Sequence, residues 1–166
     1  MTSWSDEQFE DFVAARLPAL VGFAYGLTGD LGHSQDLVQT ALLSVYMRSR
    51  HRAPGAPEAY VRKAIVNAYV SGKRRRRVTE HLVALIPEDR QPHADTGPEE
   101  RDAVANLVKD LSPRQRAVLV LRYHEDWSEE QIAKAMGVST GTVKKQAARG
   151  LAALRAQLRK QRETAP

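Results

Sequence analysis

The sequence predicts an all-α protein made of two small helical domains joined by a flexible linker. Apolar residues recur three and four positions apart along most of its 166 residues, and no segment alternates with the two-residue period of a strand. Serine, proline and glycine interrupt these stretches at positions typical of helix starts and ends. Residues 79–98 contain three prolines and scattered charges, a composition typical of a linker.

The first two helices are predicted at 6–27 and 34–50, where apolar residues recur at helical spacing. Ser5 and Gln8 have the spacing of a capping box, in which each side chain bonds to the backbone N–H of the other residue. Pro18 lies inside the first helix and predicts a kink or a break there.

A third helix is predicted to begin near Glu58, after a loop at 51–57 that contains two prolines and a glycine. Its apolar residues, Tyr60 among them, are expected to face the core. Five consecutive cations at 73–77 follow this helix, and no acidic residue lies between 60 and 78. Such a run is typical of a phosphate-binding surface or, alternatively, of a solvated basic tail.

Helical periodicity resumes after the linker. Ser112 is a predicted N-cap, with Pro113 in the first helical position. Residues 128–154 then read as two short helices joined by a glycine-containing turn, which predicts a helix-turn-helix. Ser128 and Gln131 again have the spacing of a capping box at the start of the first of these helices.

Gly137 is predicted to end that helix in a left-handed conformation, which a residue without Cβ adopts at little cost. Ser139 is expected to cap the second helix, whose apolar residues from Val143 onward face inward. The opposite face has the polar and basic composition of a DNA-reading surface, unless it is the solvated side of an ordinary helical hairpin. That face comprises Thr140, Thr142, Lys144, Lys145, Gln146 and Arg149.

Composition narrows the class of function. Twenty-five Lys and Arg residues exceed 20 Asp and Glu residues, and the resulting net charge of +5 favours a polyanionic partner. The absence of cysteine excludes disulfides, thiolate catalysis and the common structural zinc sites. No segment approaches the roughly 18 apolar residues of a membrane span, and the N-terminus is acidic where a secretory signal is basic. A cytoplasmic protein with no membrane partner is expected.

Four segments, in the expected order, resemble an extracytoplasmic-function sigma factor of the sigma-70 family and are most similar to its SigE-type subgroup. Three of them are AYGLTGDLGHSQDLVQTALLSVYMR from Ala24, PEAYVRKAIVNAYVSGKRRRR from Pro57, and LSPRQRAVLVLRYHEDWSEEQIAKAMGVSTGTVKKQAARGLAALR from Leu111. The fourth is the linker between the last two. The resemblance implies promoter-specific transcription initiation.

The resemblance also implies a division of labour along the chain. A sigma-2 domain at 1–78 would bind core polymerase and recognise and melt the minus-10 element. A sigma-4 domain at 99–160 would recognise the minus-35 element, with a linker at 79–98 and a polar tail at 161–166. The implied partners are promoter DNA and bacterial core RNA polymerase, through its β′ clamp helices and β flap. Factors of this class are also commonly held inactive by an anti-sigma factor.

Three sets of residues take roles by this resemblance. The core-polymerase set is Asp36, Leu37, Val38 and Gln39. Its first and last residues are expected to form an exposed polar rim, and the middle two also fit a core role. The minus-10 set is His51, Arg52, Arg62, Lys63, Asn67, Lys73, Arg74, Arg75, Arg76 and Arg77. The minus-35 set is Ser139, Thr140, Thr142, Lys144, Lys145, Gln146 and Arg149.

Specific chemistry follows for some of these residues. Gln146 is a candidate adenine reader, whereas Arg149 or Lys144 would bind a guanine or a phosphate. The loop at 51–57 would hold a base flipped out of the stack.

Two other classes of function fit parts of the chain. A small nuclease or recombinase can carry a helix-turn-helix, but the sequence contains no phosphate loop and no HExxH motif, so we expect no catalytic residue, metal or cofactor. His33 and Asp36 suggest a metal site, although such a pair at a helix start is more often a solvated cap. An operator-binding regulator would explain residues 112–154 and leave the first domain without a role.

Overall fold

The computed structural model describes residues 3–49, 55–72 and 98–165, and all regular structure within these ranges is helical. The N-terminal group contains α1 (Asp6–Thr28), α2 (Leu31–Ser49) and α3 (Pro57–Ser71). The C-terminal group contains α4 (Pro98–Val108), α5 (Pro113–Leu119), a π-helical turn (Val120–His124), α6 (Glu129–Met136) and α7 (Thr140–Thr164). The predicted all-α fold is confirmed; the predicted linker, up to residue 97, lies outside the described ranges.

Local signals set the ends of α1. The Ser5 hydroxyl accepts from the N–H of Gln8 at 3.1 Å, and the Gln8 side chain accepts from the N–H of Ser5 at 3.0 Å, which confirms the capping box. Gly29 ends the helix with a φ of 67°, a conformation that favours glycine. A break at Pro18 is wrong, because α1 continues through this residue to Thr28.

The start of α2 differs from the prediction. The helix begins at Leu31 rather than at residue 34, because the Asp30 carboxylate accepts from the N–H of His33 at 2.7 Å and so caps the helix. Ser34 is a buried residue of the first turn, and its hydroxyl donates to the backbone carbonyl of Asp30 at 2.6 Å.

One contiguous hydrophobic core joins the two groups of helices. Phe23 and Leu27 of α1, Ile65 of α3, Leu121 of the π-helical turn and Ile132 of α6 are fully buried within it. Helix α1 packs on α4, and α3 packs on α5 and α6. The two groups therefore form a closed arrangement, which the sequence did not predict.

The C-terminal helix is longer than expected. Residues 161–164, which the sequence assigns to a polar tail, continue α7 to Thr164, and the N–H of Ala165 donates to the carbonyl of Gln161 at 3.1 Å. Among the described helices, none combines the length and the apolar character needed to cross a membrane.

Candidate nucleic-acid interface

The helix-turn-helix forms as predicted from α6 and α7. The Ser128 hydroxyl accepts from the N–H of Gln131 at 3.1 Å, and the Gln131 side chain accepts from the N–H of Ser128 at 2.9 Å. Gly137 ends α6 with a φ of 68°, and Ser139 caps α7 by accepting from the N–H of Thr142 at 3.1 Å. The turn between the two helices is therefore short and fixed at both ends.

The predicted reading face of α7 lies opposite the side that packs on the core. Val143 and Gly150 are buried on the inner side, whereas the cations Lys144, Lys145 and Arg149 are exposed. Ser139 and Thr140 are also exposed, and Thr142 and Gln146 are half-buried. A helix with short polar groups in its first turn and cations beyond has the chemistry required to enter a major groove.

Three of the predicted minus-35 residues already have partners within the protein. The hydroxyls of Ser139 and Thr142 lie 3.0 Å apart, so both belong to the cap of α7. Lys144 Nζ lies 3.8 Å from Glu129 Oε2, and the same carboxylate is 3.7 Å from Arg122 Nη2. Exposed pairs at such distances are weak and screened by salt, so Lys144 can exchange its carboxylate for a phosphate at little cost.

Helix α3 separates the predicted minus-10 residues that the resemblance grouped together. Lys63 and Asn67 are exposed and lie one turn apart on one side of α3. Arg62 points elsewhere: its side chain is 20% exposed and pairs with Glu58 at 2.8 Å and with Glu125 at 3.6 Å. Its guanidinium also lies over the ring of Phe23, 4.9 Å from the centroid.

Glu58 links α3 to α1. Its carboxylate accepts from Arg16 at 2.5 Å and from Arg62 at 2.8 Å. Burial on its own raises the pKa of Glu58, but the hydrogen bonds and positive charges of the two arginines outweigh burial and hold this pKa below its ordinary value. Arg62 is thus oriented by a carboxylate that stays ionised.

A groove of about 630 Å³ lies between α2, α3 and the second half of α6. Lys63 and Asn67 line it together with Tyr60, Met47 and Lys134. Tyr60 was expected in the core, but it is 36% exposed, because α3 turns this side toward the groove rather than toward α1. An aromatic ring between cations and an amide is a suitable surface for a single nucleic-acid strand.

Sequence reasoning missed Tyr60 as a member of this surface. Its spacing of three and seven residues from Lys63 and Asn67 was the available signal, since residues so spaced share one face of a helix. Lys134 has no such signal, because only the closed arrangement brings α6 to the groove.

The α2 residues assigned to polymerase contact divide into exposed and buried positions. Asp36 is exposed, whereas Leu37 and Val38 belong to the core. The expectation that Gln39 lies on an exposed rim is wrong for this conformation, because its side chain is only 3% exposed and is packed within the fold. Neither amide atom of Gln39 has a hydrogen-bond partner in the part of the chain that the structure describes.

The remaining minus-10 candidates, His51, Arg52 and the cations from Lys73 to Arg77, lie outside the described residues. Across the ranges 3–49, 55–72 and 98–165, no three His, Asp or Glu side chains cluster in a way that would hold a metal ion. His33 and Asp36 in particular do not take part in such a cluster, and the backbone of His33 belongs to the cap at the start of α2.

Two protein-family models match the chain. Sigma-70 region 2 matches residues 12–79, and Sigma-70, region 4 matches residues 101–154. The RNA polymerase sigma-E factor of Streptomyces coelicolor is 36% identical over 152 residues, covering 91% of this chain and 86% of that protein. The ECF RNA polymerase sigma factor SigL of Mycobacterium tuberculosis is 30% identical over 139 residues, covering 80% and 78% respectively.

A solved structure shares the fold. The sigma factor RpoE of Bartonella quintana, crystallised in complex with the anti-sigma factor NepR, aligns with a TM-score of 0.61 at 24% identity. The alignment covers 92% of this chain and 98% of that one. At this identity the likeness concerns the arrangement of the helices.

Proposed function

This chain belongs to the extracytoplasmic-function class of the sigma-70 family, and we propose that its helix α7 reads the minus-35 element while α3 contacts the minus-10 element. Its function is transcription initiation, in which it binds core RNA polymerase and promoter DNA. The proposal concerns which residues perform each part of this function.

The observation that carries the minus-35 assignment is the exposed cationic face of α7 in a capped helix-turn-helix. Lys144, Lys145 and Arg149 are exposed on this face, and each can neutralise a phosphate, so binding should weaken steeply with salt. Gln146 lies among them, and its amide can bond bidentately to adenine in the major groove. Thr140 lies in the first turn, where an inserted helix comes nearest to base edges.

For the minus-10 element, the proposal rests on the groove beside α3. Lys63 and Asn67 provide a cation and a hydrogen-bonding amide, and Tyr60 provides a ring on which a base can stack. Stacking of one base on an aromatic side chain contributes about 1–3 kcal/mol. Arg62 would contact phosphate once released from its carboxylate partners, and the family resemblance adds the residues at 51–52 and 73–77.

Core polymerase is proposed to contact α2 at Asp36 through the β′ clamp helices, and the C-terminal group through the β flap. Leu37 and Val38 support that surface from the core, and Gln39 would join it only after a rearrangement. We assign residues 1–78 to the first functional domain, 79–98 to the linker and 99–160 to the second. As a specificity factor of the polymerase, the protein would act in the cytoplasm without a catalytic centre of its own.

An anti-sigma factor is a further proposed partner, since the Bartonella quintana factor with this fold was crystallised with one.

The proposed function is tested by transcription in vitro. The purified protein is mixed with sigma-free bacterial core RNA polymerase and fragmented DNA of the source genome, and the run-off transcripts are sequenced. Discrete start sites that share two spaced upstream elements would support the proposal. Asp36→Ala is expected to weaken binding to core while duplex DNA binding persists, with Glu10→Ala, an exposed acidic position of α1, as the matched control. Duplex DNA binding without any core binding would instead favour an operator-binding regulator.

A further inference from the structure

A short segment of the C-terminal group contacts the N-terminal group directly. Residues 125–127, which we call the clasp segment, connect the π-helical turn to α6. Asp126 has a φ of 57°, in the left-handed region that Asp tolerates better than most residues. The N–H of Glu125 donates to the carbonyl of Val120 at 3.0 Å, and the N–H of Trp127 donates to that of Leu121 at 2.8 Å. The clasp segment is therefore held in a defined shape.

The clasp segment meets Arg62, a proposed minus-10 residue. Glu125 Oε2 lies 3.6 Å from Arg62 Nη1, and the two side chains are only 12% and 20% exposed. The other terminal nitrogen of Arg62 is bound to Glu58, and one face of the guanidinium lies on the ring of Phe23. Within the closed arrangement, protein groups occupy the directions from which a phosphate would approach this cation.

Other contacts hold the same two groups together. The rings of Phe23 and Trp127 stack with centroids 5.9 Å apart and 18° between their planes. At a second point, the hydroxyl of Tyr25 in α1 donates to the carboxylate of Asp102 in α4. Breaking the Arg62–Glu125 pair by moving the clasp segment away also separates the stacked rings, so the contacts are coupled.

We infer that the clasp segment masks Arg62 of α3 in the free protein, with the Glu125 carboxylate located where a promoter phosphate would bind this guanidinium. Both oxyanions are acceptors for the same guanidinium donors, so DNA and the clasp segment compete for them. The apparent affinity of DNA binding that uses Arg62 is then reduced in proportion to the fraction of molecules that are open. This inference rests on the proposed role of Arg62.

Opening can be measured without DNA. The chain contains no cysteine, so Ala15→Cys in α1 and Ala156→Cys in α7, both exposed, provide two unique sites for spin labels. We expect one narrow distance distribution in the labelled parent protein and an added population of longer distances in Glu125→Gln. Glu130→Gln is the matched control, because it removes an exposed carboxylate of α6 and changes the net charge equally.

Tyr25→Phe provides a second, independent way to open the molecule, since it removes the hydrogen bond to Asp102 at the other contact point. It should also increase the population of longer distances, while far-UV circular dichroism confirms that the helices remain. If neither Glu125→Gln nor Tyr25→Phe lengthens the distances relative to Glu130→Gln, the inference is overturned.

Masking is measured with a 20-nucleotide single-stranded DNA of mixed sequence. We expect the Glu125→Gln variant to bind this DNA about two- to fivefold more tightly than the Glu130→Gln variant does. This is the size of change expected when one partly exposed ion pair no longer competes with DNA. Adding Arg62→Ala to both variants should abolish this difference. Longer distances without any gain in DNA affinity would refute the masking. In that case Arg62→Ala alone tests the proposed role of Arg62, which is retained if this substitution weakens binding of the same DNA and refuted if it does not.

Discussion

Phe23 in α1 and Trp127 before α6 stack at 5.9 Å with 18° between their ring planes, and this contact joins the two groups of helices through one hydrophobic core. Phe23 is fully buried, and the core continues on both sides of it without a boundary between the groups.

The two groups of helices should unfold together. Trp4→Phe leaves Trp127 as the sole tryptophan, so its fluorescence reports on the contact between the groups. We expect its urea transition to coincide with the transition seen by far-UV circular dichroism, because a contiguous core makes unfolding cooperative. Two separate transitions would show that each group is stable on its own.

Removing polar side chains from the exposed face of α7 should impair promoter recognition but not binding to core polymerase. We expect Lys144→Ala, Gln146→Ala and Arg149→Ala together to weaken specific promoter binding by at least tenfold, since a single good base contact contributes about 1–3 kcal/mol. The slope of log affinity against log salt concentration should become less negative by about two, because two phosphate contacts are lost. Binding to core polymerase should persist; its loss would contradict the assigned division between the domains.

The control for this triple variant is Arg159→Ala with Lys160→Ala, which removes two exposed cations from the far end of the same helix. Promoter discrimination should be unchanged in it. An equal effect in both variants would mean that α7 contributes only general positive charge.

Gly150 lets α7 approach α5 closely. A Cβ at this position would lie 2.8 Å from Leu119 Cδ1 and 3.1 Å from its Cγ, and Leu119 is itself buried. We expect Gly150→Ala to lower the free energy of unfolding by about 1 kcal/mol, because overpacking outweighs the gain in helix propensity. Chemical denaturation measures the change.

Gly141→Ala is the matched control in the same helix. The nearest atom to its Cβ would be Ser139 Oγ at 3.7 Å, an ordinary contact. Because Gly141 is the second residue of α7, this variant should be more stable by less than the roughly 0.5–1 kcal/mol expected in the middle of a helix. Stabilisation by both substitutions would contradict close packing at Gly150.

Stability should depend on Glu58 at neutral pH and lose this dependence in acid. The pKa of Glu58 lies below its ordinary value of 4.5, because the arginine partners outweigh burial. A carboxyl group whose pKa is lower in the folded state stabilises the fold above the unfolded pKa, and loses this effect as pH falls through the folded pKa. Glu58→Gln should therefore lower the thermal midpoint at pH 7, and its thermal midpoint should approach that of the parent protein as pH falls below 4.5 and through the lower folded-state pKa of Glu58.

Glu10→Gln, which removes an exposed carboxylate of α1, should leave the thermal midpoint nearly unchanged at either pH. If the thermal midpoint of the Glu58→Gln variant stays equally far below that of the parent protein in acid, Glu58 stabilises the fold through its shape rather than its charge.

The sequence predicted the local features of this protein well. Capping boxes at Ser5 and Ser128 and the left-handed Gly137 were read from residue types at short spacing, and the structure confirms them. The start of α2 was missed because the cap at Asp30, four residues before the predicted start, was not anticipated; its carboxylate binds the free N–H of His33 and begins the helix earlier.

Three features of the candidate site followed from packing and not from local pattern. Gln39 is buried and Tyr60 lines a groove, although polarity suggested the reverse for both. Arg62 points away from Lys63 even though the two are adjacent, because successive residues of a helix point about 100° apart. Which direction is buried depends on the elements that pack against the helix.

The sequence by itself determined the helices, their caps and the helix-turn-helix, because those bonds join residues within about four positions and depend on side-chain type. Only the tertiary structure established that α1 and α3 face the C-terminal group. Tyr25 and Asp102, 77 positions apart, meet there, as do Phe23 and Trp127. An apolar stripe shows that a helix must bury one face, but many partners can cover it, and the choice depends on how whole surfaces fit together.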